Sequence, residues 1–153
     1  VTGVQTCALP ISDFNNLKID STAIVTVELV PAKVGELVKI IYYDYRESFL
    51  TAKAKNELNE IVYFLLDNPK AVVELSSHTD SRGSDLYNMT LSEARAKAAV
   101  EYVVSRGVGK DRIQAKGYGR SQLTNDCGEG KECSDAQHGV NRRTEIRVVS
   151  IEN

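Results

Sequence analysis

Apolar residues recur at Leu50, Ala54, Leu58, Ile61 and Leu65, spacings of four, four, three and four that place all five on one face of an α-helix. Thr51 stands where it caps the first turn. Asn68-Pro69 ends the segment, because the residue before a proline is driven out of the helical region. A second stripe, Leu91, Ala94, Ala98 and Tyr102, predicts a helix from about Leu91 to Arg106, with Ser92 near its start and Gly107 beyond its end. Between and around these stripes the period changes to two. Leu37 to Tyr45, rich in Val, Ile and Tyr, predicts a strand. Ala71 to Ser77 predicts another, with Ala71, Val73 and Leu75 on one side and Val72 and Glu74 on the other. Arg112 to Ala115 reads as a short third strand and Thr144 to Ile151 as the last, with a tight turn at Gly117-Tyr118-Gly119 and a loop over 120–139 between them.

The predicted order is βαβαβ-loop-β, an α+β two-layer sandwich with helices packed on a mixed four-stranded sheet. Residues 37–153 form this domain. Upstream, Ile24 to Leu29 alternates and is broken by Pro31 and Gly35, so 13–36 reads as the tail of an upstream module or an extra edge strand. Residues 1–12 show neither period. They resemble a translated sequencing adapter and are set aside from the fold.

With 153 residues, 42% hydrophobic and 26% charged, the chain fits one domain able to bury roughly 70% of its unfolded surface. Nineteen Lys and Arg against 21 Asp and Glu give a net charge of −2, so no basic excess points to a nucleic-acid partner. Aromatics are 7% with no Trp, which leaves few platforms for stacking bases or sugars. The longest apolar stretches, such as Ile61 to Leu66, fall far short of the roughly 20 residues of a membrane span.

Three polar clusters carry the candidate chemistry. His78-Thr79-Asp80-Ser81-Arg82-Gly83 follows a strand, where open sheets tend to bind ligands, and reads either as that or as a loop with Asp80 in a local turn. Tyr87-Asn88 precedes Arg95, which sits at the margin of the buried helix face or is a solvated helix arginine. Asn141-Arg142-Arg143 stands before the last strand, where paired arginines hold a carboxylate bidentately or lie exposed.

Together, Val73 to Gly83, Tyr87-Asn88, Leu91-Ser92, Arg95-Ala96, Gly107, Arg112-Ile113, Gly117 to Gly119 and Asn141 to Arg143 stand in the order and spacing of the OmpA-like C-terminal domain, which the chain resembles from about Val38 to Glu152. The resemblance implies non-covalent binding of the peptidoglycan stem peptide through meso-diaminopimelate, whose side chain ends in an ammonium and a carboxylate. By position, Asp80 takes the ammonium and Arg95 the carboxylate. Asn88, Arg142, Thr79 and Asp44 complete the implied site, with Arg82 at its rim or without a role. The implied setting is the periplasm of a Gram-negative bacterium, with the outer membrane reached through an upstream region. Neither cofactor nor metal is implied.

Cys127 and Cys133, with His138 after them, offer three zinc ligands without a Cys-x2-Cys hook; two free thiols or a disulfide are the other readings, and an oxidising compartment favours the disulfide. Similar paired cysteines before the Asn-Arg-Arg motif are a feature of multidomain envelope proteins of Bacteroidetes-like bacteria, which this chain resembles. Against the binding reading stand a small hydrolase using His78 and Asp80, for which no Ser or Cys nucleophile with an orienting group is apparent, and a protein-interaction domain without cell-wall binding.

Overall fold

The computed structural model describes residues 31–151. The strand expected at Ile24 to Leu29 and the adapter-like residues 1–12 lie outside them. Strand β1 is Leu37–Tyr42, helix α1 Ala52–Asp67, β2 Ala71–Ser77, α2 Asp85–Ser105, β3 Ile113–Gly117, α3 Asp135–Gly139 and β4 Arg143–Ile151. The sheet order is β1-β4-β2-β3, with β4 antiparallel to both neighbours and β2 parallel to β3. This is the mixed four-stranded α+β sandwich that the periodicity predicts.

One core joins both helices to one sheet face. Ala54, Leu58, Ile61 and Leu65 of α1, Ala99 and Val103 of α2, and Val73, Leu75, Ile113, Ile146 and Val148 of the sheet are buried together. Register follows from this burial: Leu75 pairs with Ile146 and Ser77 with Thr144, so slipping by one residue would turn every apolar strand position outward. The α1 cap is the one expected, the Thr51 side chain accepting from the Ala54 backbone N–H. Helix α2 lies close on β3, because a Cβ at Gly117 would meet the Glu93 backbone nitrogen and the Ser92 hydroxyl, both at 2.6 Å. Among the described residues no helix is long and apolar enough to cross a membrane.

Three expectations need correction. Strand β1 ends at Tyr42, not Tyr45. Helix α2 begins at Asp85 rather than Leu91: Ser84 is its cap, accepting from the Tyr87 N–H, whereas Ser92 is buried inside the helix and accepts from the Gly119 N–H. The apolar stripe missed this start because polar Asn88 occupies the buried face there, and Arg95 accordingly stands nearly three turns into α2. Finally, the 120–139 loop ends in α3, closed by a Ser134/Gln137 capping box.

Cys127 and Cys133 are joined in a disulfide, with Cα atoms 5.9 Å apart, so their sulfurs do not form the Cys-Cys-His zinc set. The cross-link leads directly into α3. Replacing both cysteines by serine is expected to lower unfolding stability by about 2.4 kcal/mol, the chain entropy of a loop of roughly seven residues. Denaturant unfolding checks the loss, and two alkylatable thiols in unreduced protein would contradict the bridge.

Candidate functional site

Asp80 follows the C-terminal end of β2, and Arg142 immediately precedes antiparallel β4, so chain direction brings both to the same end of the sheet. The turn after β1 arrives there too, through the pairing of Tyr42 with Arg143. Helix α2 covers this end with Asn88, Leu91 and Arg95. Thr79, Asp80, Asn88, Arg95 and Arg142, all expected at the site, line one small cavity with Tyr45 and Arg82.

Arg95 is fully buried, not at a margin. Its Nε donates to the Glu47 carbonyl at 2.7 Å, Nη1 to the His78 carbonyl at 3.2 Å and Nη2 to the Asp44 carbonyl at 3.2 Å. The guanidinium also lies 4.7 Å from the Tyr43 ring centroid. Burial lowers its pKa to about 10, which leaves it charged at neutral pH. Asp44 is exposed and enters this arrangement through its carbonyl.

Asp80 is buried, and its carboxylate is held by two other arginines. Arg82 Nη2 donates to Oδ2 at 2.6 Å, Arg142 Nη1 donates to the same oxygen at 3.2 Å, and the Arg82 backbone N–H donates to Oδ1 at 3.1 Å. Burial alone would raise the Asp80 pKa; the Arg82 and Arg142 bonds outweigh it and hold the carboxyl below the ordinary range. Of the two readings of Arg82, the rim position is the one the structure shows: it is partly exposed at the cavity's mouth and bonded to Asp80. Its position two residues after Asp80, separated by one serine, was the available signal. The sequence reading also missed Asp135, which accepts from Arg142 Nη1 and Arg82 Nη2, both at 3.1 Å. A Ser-x-x-Gln pattern at Ser134 and Gln137 marked its helix start.

The two adjacent arginines divide their work. Arg142 faces the acids Asp80 and Asp135, while Arg143, one residue on, points to the other side and donates to Glu145 at 2.8 Å. His78 likewise turns away from Asp80: it stacks on Tyr118 at 5.2 Å, and both its ring nitrogens are buried without a hydrogen-bond partner. Burial, helped by the charge of Arg143 and opposed by Glu145, lowers its pKa from 6.5 to about 4. The folded state thus disfavours the protonated ring, so this contribution to stability is complete above pH 6.5 and is lost as pH falls toward 4. The ceiling is about 3 kcal/mol. Denaturant midpoints measured across that window are expected to drop, and His78→Phe is expected to flatten the drop; a parallel decline in the variant would contradict the assignment.

One end of the sheet of this small α+β domain thus carries a buried acid, Asp80, with Arg82, Arg95 and Arg142 around the same cavity. The chain belongs to the OmpA family, whose family model matches residues 42–136. It is 32% identical over 120 residues to outer membrane porin F of Pseudomonas fluorescens, covering 76% of this chain and 35% of that protein. To peptidoglycan-associated lipoprotein of Legionella pneumophila it is 33% identical over 108 residues, covering 71% and 58%. The crystal structure of peptidoglycan-associated lipoprotein from Burkholderia pseudomallei superposes with a TM-score of 0.64 at 22% identity, covering 71% of this chain and 87% of that one, a likeness of fold. The chain spans about a third to a half of the length of the first curated relatives it matches.

Proposed function

We propose that this domain binds peptidoglycan non-covalently through the diaminopimelate of the stem peptide and so anchors the outer membrane, or an envelope complex, to the cell wall from the periplasmic side. The observation that carries the reading is the convergence of Asp80 and Arg95 on one cavity, 15 residues apart in sequence and brought together by the β2–α2 connection. A ligand tip bearing one ammonium and one carboxylate needs an anion and a cation set side by side. Asp80 takes the ammonium. Arg95 directs three of its five N–H groups to carbonyls, and the remaining two, one on each Nη, serve the ligand carboxylate. Asn88, Thr79 and Arg142 frame the tip, and Asp44 acts through its carbonyl on Arg95. The named relatives, peptidoglycan-associated lipoproteins among them, support the same reading.

The role is one of binding rather than catalysis. A hydrolase built on this cluster would pair His78 with Asp80, and the imidazole instead lies against Tyr118. The test is incubation with purified sacculi. The domain is expected to co-sediment and leave glycan and peptides intact; soluble fragments would restore the hydrolase, and protein remaining in the supernatant would remove cell-wall binding.

A further inference from the structure

Arg82 stands at the mouth of the site, between two acids. Its Nη2 donates to Asp80 Oδ2 at 2.6 Å and to Asp135 Oδ1 at 3.1 Å, so one nitrogen bridges a deep carboxylate and a rim carboxylate. Nε adds a second bond to Asp80 Oδ2 at 3.2 Å, and the guanidinium lies 4.0 Å from the centroid of the Tyr45 ring. The side chain of Asp80 is 4% exposed, that of Arg82 33% and that of Asp135 68%, which orders the three from floor to rim.

The space on either side of Arg82 is unequal. The cavity that Asp80 shares with Arg95 holds about 10 Å³, room for about one water and too little for a methylene and its ammonium. A groove of about 590 Å³ opens on the other side, lined in part by Arg120, Lys131 and His138. Arg82 lines both. Its backbone is held, the N–H donating to Asp80 Oδ1 at 3.1 Å and the carbonyl accepting from Asn88 Nδ2 at 3.1 Å. With the backbone held, the side chain is the part of Arg82 free to turn, and it lies between the cavity and the groove.

We infer that Arg82 is a specificity-determining gate, an internal cation seated where the ligand's ammonium must bind, which is exchanged for that ammonium and retires onto Asp135. This rests on the reading of Asp80 as the ammonium's seat. Two charge-assisted bonds from Arg82 to one carboxylate oxygen are a strong competitor. A ligand therefore enters only if it supplies a cation to Asp80 and gains further contacts beyond it, so a bare amine is rejected. The apparent affinity equals the intrinsic affinity multiplied by the open fraction, and removing the competitor raises it.

The probe is a stem peptide containing meso-diaminopimelate, titrated calorimetrically into the whole chain. Arg82→Ala is expected to bind it about tenfold tighter than wild type, and Arg82→Gln, which keeps the stem length, is expected to follow. In wild type, the Arg82 Nε–H resonance is expected to shift on saturation as its bond to Asp80 breaks. Binding by Arg82→Ala equal to or weaker than wild type, or an Nε–H signal unmoved by ligand, would overturn the gate while Asp80→Ala still abolished binding. Wild-type binding by Asp80→Ala would instead remove the site reading itself, and the gate with it.

Discussion

Asp80→Ala is expected to lose binding to a diaminopimelate-containing stem peptide by about 30- to 5000-fold, the cost of truncating one member of a desolvated charge pair, roughly 2–5 kcal/mol. The loss arises from chemistry rather than unfolding. Arg82 and Arg142 both keep a hydrogen bond to Asp135 when Asp80 is gone, so neither loses every acidic partner. Asp80→Asn provides the shape-matched control. It retains an acceptor for the Arg82 backbone N–H but carries no charge to meet an ammonium, and is expected to bind almost as poorly as alanine. Calorimetry with circular dichroism alongside separates the two outcomes; tight binding by Asp80→Asn would mean that the pocket recognises shape rather than charge.

Arg95→Ala is expected to lower unfolding stability by about 1–3 kcal/mol, the cost of leaving buried acceptors unsatisfied, as well as to abolish binding. The family resemblance implies only a ligand role for Arg95, that of meeting the carboxylate. The structure gives it a second task. Its guanidinium ties the turn after β1, through the Asp44 and Glu47 carbonyls, to the end of β2, through the His78 carbonyl. Alanine would leave these three acceptors without their donor and open a cavity beside Tyr43. Arg95→Lys is not a rescue, since a single ammonium does not span the three directions that the planar fork reaches. Because the variant alters fold and site together, the ligand supplies the cleaner probe. Amidating the diaminopimelate carboxylate is expected to weaken binding to wild type without touching stability. Denaturant midpoints and calorimetry on the two ligands check both parts, and an Arg95→Ala midpoint equal to wild type would refute the structural role.

The architecture was legible in the spacing of apolar residues, because apolar periodicity reports local geometry directly. The face of α1 from Ala54 to Leu65, the stop at Asn68-Pro69 and the inward set Val73 and Leu75 of β2 all stand where spacing placed them. Motif order likewise marked Asp80, Asn88, Arg95 and Arg142 as companions, and the fold lines one cavity with them. Periodicity failed where polar residues are buried: Asn88 hid the first turns of α2, and a five-residue α3 is too short to show a stripe. Which charge meets which was settled by the packing of the folded chain. Whether an arginine faces an acid, a carbonyl or water depends on strand order and on the direction in which each strand reaches the sheet end, and neither is encoded in local spacing. Arg82, Arg95 and Arg142 look alike as letters; the antiparallel entry of β4 puts Arg142 on Asp80, the depth of α2 puts Arg95 on backbone carbonyls, and α3 brings Asp135 to share Arg82.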